Sequence, residues 1–312
     1  MITLRQLQVF TEVAEAGGSV THAATKLGIS QPSVSDTVRA LESDLDVKLL
    51  AGRGKARGLT AEGEIYRDYA QRIRTLVDEG RQAVADLRAE VSGHLRIVAV
   101  PTAGERLVPA ALHPFVQQHP AVEVSLRVAN RAAAIGWLTD GWADVAVMGR
   151  PPSNLALVAE PFLPNRLVLV CAPSHPLAHG AIDLAEVAEK TILIREHGSG
   201  TRLAVESVFA SADLELASTM EIGSNAAVIA AVHEGLGIAV LPEVAIAPDL
   251  RTGRLVSVDA PGFPLEREWY VLRLATGYLS SPARAFIDQL TACAIDADGT
   301  VSCPPASPAK WD

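Results

Sequence analysis

Apolar positions between Leu4 and Leu45 recur at three- and four-residue steps, in blocks broken at Gly28. Leu4, Leu7, Val9, Phe10 and Val13 mark a first amphipathic helix. Ala23 and Ala24 are small enough to let a later helix cross a second one closely. Val34, Val38, Leu41 and Leu45 then give a further helix one buried stripe. Between these blocks, Leu27-Gly28-Ile29-Ser30 reads as a tight turn. Gly28 is suited to the left-handed conformation that closes a helix, Ser30 is a good N-cap, and Pro32 falls in the first turn, where its missing N–H is harmless. The other face of the last helix presents Gln31, Ser33, Ser35, Asp36 and Arg39. A short helix with an uncharged polar tip after a tight turn is what a helix-turn-helix inserts into the major groove. The pattern predicts Gln31, Pro32, Ser33, Ser35, Asp36 and Arg39 as the DNA-contacting set.

Lys48-Leu-Leu-Ala-Gly-Arg53-Gly-Lys55-Ala-Arg57-Gly follows, a glycine-rich hairpin signal with four basic residues and no acid. Directly after a helix-turn-helix it reads as a wing, with Arg53, Lys55 and Arg57 on the phosphates or in the minor groove. From Ala61 to Val91 the stripe Ile65, Tyr69, Ile73, Leu76, Val84, Leu87 and Val91 predicts one helix of roughly 45 Å. A single apolar stripe of that length usually pairs with its copy in a second chain. Two linked half-site readers also supply the affinity that one helix cannot.

Beyond Ser92-Gly93 strand patterns alternate with helical ones. Strands are expected at 95–100, 122–128, 144–148, 167–172, 192–194, 220–222, 238–241, 255–258 and 269–274, and helices at 106–118, 132–140, 202–210 and 225–234. That alternation predicts mainly parallel sheets covered by helices, and so many strands suit two α/β lobes better than one. From Asp296 the chain is Pro/Ser-rich without a period, which predicts a disordered tail over 296–312. The domains expected are a winged helix-turn-helix (1–60), a linker and dimerisation helix (61–91), a two-lobed body (92–295) and the tail.

Charge narrows the partners. The net charge of the 312 residues is −9, yet residues 1–60 hold seven bases against six acids, leaving −10 for the rest. A near-neutral, locally basic head on an acidic body suits site-specific rather than bulk nucleic-acid binding. Cys171, Cys293 and Cys303 have no paired spacing, so neither a disulfide framework nor a metal site is expected, and a reducing cytoplasm fits. No signal-peptide pattern and no apolar run near the ~20 residues of a membrane span is visible. Nor is there a nucleophile-base constellation, an HExxH or a Walker loop, which argues against an enzyme and calls for no cofactor.

Taken together, Leu4-Arg5-Gln6-Leu7-Gln8-Val9-Phe10, Gln31-Pro32-Ser33-Val34-Ser35, Ala40-Leu41-Glu42, Leu59-Thr60 with Gly63, and Ser92-Gly93-His94-Leu95-Arg96-Ile97 resemble the LysR-type transcriptional regulators from Leu4 to about Ala294. The resemblance implies an N-terminal winged helix-turn-helix, a linker dimerisation helix and a two-lobed effector domain like a periplasmic binding protein. It further implies homotetramers built as dimers of dimers on promoter DNA, with RNA polymerase open as a contact. Leu50 and Gly52 depart from the family's frequent Phe and Arg at the wing, and Asp36 stands where many members carry a neutral or basic residue. Val128-Ala129-Asn130-Arg131, Met148-Gly149-Arg150-Pro151-Pro152, Arg195-Glu196-His197-Gly198-Ser199-Gly200-Thr201-Arg202 and Met220-Glu221-Ile222-Gly223-Ser224-Asn225 are similar to the branch controlling Calvin-cycle (RuBisCO) operons. That branch implies a small anionic effector, with phosphorylated sugars, other phosphorylated intermediates or NADPH as candidates. Another branch would sense a carboxylate, an aromatic acid or an amino acid.

The residues themselves indicate where such an effector would sit. Gly198-Ser199-Gly200-Thr201 precedes a helix whose N-terminus favours an anion, and Thr201 and Arg202 add a hydroxyl and a guanidinium. Thr102 and Ala103 lie in a similar strand-to-helix turn. Asn130, Arg131, Gly149 and Arg150 follow strand ends, where open α/β sheets place ligands. Ser224 and Asn225 open a helix after another strand. The expected site is one crevice lined by Thr102, Ala103, Asn130, Arg131, Gly149, Arg150, Gly200, Thr201, Arg202, Ser224 and Asn225.

Overall fold

A computed structural model describes residues 1–51, 58–87, 90–180 and 182–305. The chain forms two compact units, one comprising residues 1–84 and 140–142 and the other residues 85–139 and the chain from 143 onward. No helix among the described residues is long and apolar enough to cross a membrane.

The N-terminal unit opens with α1 (Leu4–Glu15), α2 (Val20–Leu27) and α3 (Gln31–Leu45). Each begins at the residue its side-chain chemistry selects. Thr3 and Gln6 form a capping box, the Ser19 hydroxyl accepts from His22 N–H, and the Ser30 hydroxyl accepts from Ser33 N–H. Gly28 closes α2 at φ 65°, in the left-handed region. Val9, Val13, Ala23, Ala24, Val34 and Val38 bury together between the three helices. Leu50 pairs with Leu59, and Ala51 N–H donates to the Gly58 carbonyl at 3.0 Å, so the two arms of the predicted hairpin meet. Arg53, Lys55 and Arg57 lie outside the described residues. The long helix α4 spans Ala61–Ala85, shorter than the expected 61–91. At its start Gly63 is obligatory, because a Cβ there would stand 2.1 Å from the Leu49 carbonyl oxygen.

The second unit contains two five-stranded sheets among the described residues. In the first lobe β1 (Gly93–Ala99) leads through a π-helical turn (Ala103–Leu107) into α5 (Val108–Gln118), then β2 (Val122–Val128), α6 (Arg131–Thr139), β3 (Val145–Met148) and β4 (Leu157–Pro164). The chain crosses to the second lobe through β5 (Leu167–Cys171), α7 (Leu184–Ala188), β6 (Thr191–Ile194), α8 (Gly200–Ser211), β7 (Ser218–Glu221), α9 (Asn225–His233), β8 (Ile238–Pro242), α10 (Glu243–Arg251) and β9 (Val256–Ser257). It returns through β10 (Glu268–Leu274) and α11 (Ser281–Thr291). The strand orders are β2-β1-β3-β10-β4 and β7-β6-β8-β5-β9.

The expectation of mainly parallel sheets is corrected. β1 pairs parallel with β2 and β3, while β10 pairs antiparallel with β3 and β4. In the second lobe β6 pairs parallel with β7 and β8, while β5 pairs antiparallel with β8 and β9. The cause is the double crossing: strands that enter from the other lobe run against their neighbours. The crossing segments are themselves paired, with Asn165 N–H donating to the Arg267 carbonyl at 2.7 Å and Leu167 N–H to Leu265 at 3.0 Å. They form a two-stranded hinge.

Two further expectations fail at the C-terminus. Residues 296–305 are not a disordered tail: β11 (Ala294–Ile295) and β12 (Val301–Ser302) form a hairpin, and Gln289 Nε2 donates to the Pro304 carbonyl at 2.7 Å. Cys293 and Cys303 are joined in a disulfide across this hairpin, contrary to the reading of all three cysteines as unpaired. The hairpin turn brings two positions ten apart together, which spacing alone does not reveal. Cys171 remains a buried thiol whose pKa burial pushes up to about 11. At the other end of the unit, the Asp86 carboxylate accepts from Tyr278 Oη, Ser281 N–H and Ser281 Oγ at 2.7–2.8 Å, tying the segment after α4 to the start of α11.

Candidate DNA-reading face and ligand crevice

On α3 the apolar stripe points inward, leaving Gln31, Pro32, Ser33, Asp36 and Arg39 exposed and Ser35 half-buried. Asp36 pairs with Arg39 at 3.0 Å, which neutralises the acid that would otherwise repel phosphate. Glu42, on the buried side, organises this face. Its Oε1 accepts from Leu49 N–H at 2.9 Å and Leu50 N–H at 3.3 Å, and its Oε2 pairs with Lys48 at 2.6 Å. Burial alone would raise its pKa, but Lys48 and the two backbone donors outweigh that and hold it below the ordinary carboxylate value. One carboxylate thus fixes the first arm of the hairpin to the reading helix. In the sequence it stands as a lone acid within an apolar stripe and as part of the Ala40-Leu41-Glu42 motif.

The second unit holds a crevice of about 380 Å³ between its lobes. Thr102, Asn130, Arg131, Gly149, Arg150, Gly200, Thr201 and Asn225 all line it, so eight expected residues from the ends of five strands, β1, β2, β3, β6 and β7, converge. Three others do not. Ala103 is buried in the core of the first lobe, and Ser224 caps α9 by accepting from Ala227 N–H. Arg202 does not line the crevice; its guanidinium donates to Glu206, Glu221 and the Arg195 carbonyl. It braces the loop that carries Ser199, Gly200 and Thr201.

The wall also contains Arg195, Asn165, Arg267 and Trp269, which the sequence did not single out as site residues. Arg195 did fall within a conspicuous motif; the others lie on the hinge strands and carry no local signal. Among the described residues, the Arg131 guanidinium donates only to the Arg150 carbonyl, through Nε at 3.4 Å and Nη2 at 3.3 Å. Burial lowers the pKa of Arg131 and of Arg267 from the ordinary guanidinium value, and repulsion from Arg150 lowers both further. Among the described residues, Arg131, Arg150 and Arg267 form no ion pair with an acid; Glu266 is held by Arg166 at 3.0 Å and Glu268 by the Tyr270 hydroxyl at 2.9 Å. Three like charges beside an α8 N-terminus make an electropositive chamber. Among the described residues no group of three or more His, Cys, Asp or Glu is placed to hold a metal.

Comparison with known proteins agrees with this division. Residues 4–64 match the bacterial regulatory helix-turn-helix protein of the lysR family, and residues 88–294 match the LysR substrate binding domain. The chain is 36% identical over 291 residues to the HTH-type transcriptional activator CmpR of Synechocystis, covering 93% of this chain and 95% of that one. It is 38% identical over 286 residues to the RuBisCO operon transcriptional regulator of Allochromatium vinosum, covering 91% and 94%. The CcmR regulatory domain of Synechocystis, solved in complex with 2-PG, is 34% identical with a TM-score of 0.61, and the match covers 64% of this chain and 97% of that domain.

Proposed function

The chain belongs to the LysR family of transcriptional regulators, and from that premise we propose that it acts in the cytoplasm as a homotetrameric, metabolite-gated regulator similar to those of RuBisCO operons. The observation that carries the reading is the crevice itself: Arg131, Arg150 and Arg267 surround a chamber of about 380 Å³ without acidic partners among the described residues. Such a chamber favours a small, multiply charged anion, and the 2-PG held by the related regulatory domain has that chemistry. Ligand between the lobes biases their closure about the paired hinge, and closure alters how dimers present their reading helices to DNA. Trp269 in the wall makes intrinsic fluorescence a reporter. Titration with phosphorylated acids, sugar phosphates, NADPH, aromatic acids and amino acids should give a saturable change for a phosphorylated acid, lost in Thr201→Ala. Saturation by aromatic or amino acids alone would instead favour another branch of the family.

Dimerisation through residues 61–91 is supported by the face that α4 leaves open. Ile65, Tyr69, Leu76 and Val84 are 58–68% exposed in the single chain, on the stripe that periodicity marked as buried. Leu76→Glu should yield a lower oligomer by sedimentation and lose about a hundredfold or more in affinity for a two-half-site DNA. Unchanged sedimentation removes α4 as the interface.

On DNA, Gln31 is the foremost base reader, with Ser33 and Ser35 on bases or phosphates, and Arg53, Lys55 and Arg57 on the backbone or in the minor groove. Arg53→Ala should weaken binding to all sequences alike and reduce the slope of log K against log salt by about 0.9. An unaltered slope excludes a phosphate contact.

A further inference from the structure

Arg195 follows β6 with its side chain only 6% exposed. Its guanidinium is bidentate to Glu196, at 2.8 and 3.0 Å, and donates through Nη1 to Asn225 Oδ1. The second bond decides how the Asn225 amide faces. With Oδ1 engaged by a cation, Nδ2 points across the crevice and donates to Thr102 Oγ1 on the opposite lobe at 2.8 Å. The flipped amide would set Nδ2 against the guanidinium, donor against donor, and leave Oδ1 to capture the Thr102 hydrogen.

A threonine hydroxyl has one hydrogen to give. Because Thr102 accepts from Asn225, that hydrogen is free for a group inside the crevice it lines. All the bonds therefore run in one direction, from a buried cation through an amide to a hydroxyl, and each polarises the next. The same chain ties the lobes together, since Asn225 opens α9 in the second and Thr102 follows β1 in the first.

We propose that Arg195, Asn225 and Thr102 form a directed donor relay across the crevice, in which Arg195 and Asn225 are positioning residues that commit Thr102 to donate to the effector anion. The proposal rests on the reading of the crevice as an anion site. It assigns Arg195 a role exerted through Thr102, although its side chain also reaches the wall.

The test is a double-mutant cycle on the full-length protein, with 2-phosphoglycolate and inorganic phosphate as probes in calorimetry. Arg195→Met should weaken binding about tenfold or more in the wild-type background and scarcely at all in the Thr102→Val background. Arg195→Lys, which still donates to Oδ1, and Thr102→Ser, which keeps the hydroxyl, should each restore most of the affinity. Additive losses from Arg195→Met and Thr102→Val would mean that Arg195 acts on the anion directly, and would overturn the relay. A second cycle needs no ligand. The melting-temperature losses of the same two variants should be distinctly smaller together than their sum, because each interrupts one chain. Additive losses there overturn the relay equally. If the wild type binds neither probe, the anion reading of the crevice fails, while the thermal cycle still decides the relay.

Discussion

Replacing Glu42 with alanine is expected to lower the melting temperature of the N-terminal unit by roughly 10 °C or more and to abolish specific DNA binding. The change strands the Leu49 and Leu50 N–H groups, which Glu42 Oε1 satisfies at 2.9 and 3.3 Å. An unsatisfied buried donor costs about 1–3 kcal/mol, and 1 kcal/mol shifts a domain of this size by about 4–8 °C. Binding suffers separately, because the same carboxylate holds the hairpin arm that is proposed to meet DNA together with α3. Glu42→Gln keeps an acceptor for the backbone but loses the Lys48 pair, so its loss should be smaller. Acid distinguishes the two effects. The folded carboxylate titrates below the ordinary value of 4.5, so its contribution is complete above that pH and disappears as pH falls through the lowered folded value. Glu42→Gln should have no such step. Calorimetry from pH 7 to 3, with fluorescence anisotropy on a DNA site selected with the wild type, reads both. An alanine variant that melts and binds like the wild type would remove Glu42 from this role.

What was legible in the sequence follows the range of the interactions involved. Caps and turns are local: Gly28 and Ser30 could be placed from neighbouring residues alone, and the structure puts each at the helix end expected of it. The strand at 122–128 was equally local, a bounded apolar pattern without proline. β4 was not foreseen because Pro161 and Pro164 interrupt its pattern, yet it is an edge strand, where the missing donors are tolerated. α11 has a readable start, Ser280 with Pro282, yet stands outside the expected helices. Antiparallel pairing of β10 and β5 is set by where the chain crosses between lobes, a fact no window of residues contains. The crevice shows the same division. Residues at strand ends were found because α/β geometry places ligands there. Arg202 was misplaced because its three acceptors come from three segments. Arg267 was missed because its proximity to Arg150 exists only through the hinge.

Arg131→Met should have effects of opposite sign on the free and the liganded protein. In the free protein Arg131 donates, among the described residues, only to the Arg150 carbonyl and faces Arg150 as a like charge, so deleting it relieves repulsion and desolvation together. The melting temperature without ligand should be unchanged or slightly higher. With ligand the loss should be large: a charge-assisted hydrogen bond contributes about 1.5–3 kcal/mol, which is roughly a tenfold to hundredfold weakening per bond. A guanidinium fork can make two such bonds to one phosphate. The stabilisation by a fixed saturating concentration of 2-phosphoglycolate depends on the logarithm of concentration over Kd, so it should shrink by a similar free energy. Arg131→Lys restores charge without the fork and should fall between. Arg267→Met, on the hinge strand, should repeat the pattern, since its guanidinium is depressed by the same two causes. The decisive comparison is between the two temperatures in each variant. A cluster that merely braces the lobes would lose stability without ligand and keep its ligand-induced shift, whereas a cluster held electropositive for an anion gives up the shift and keeps the fold.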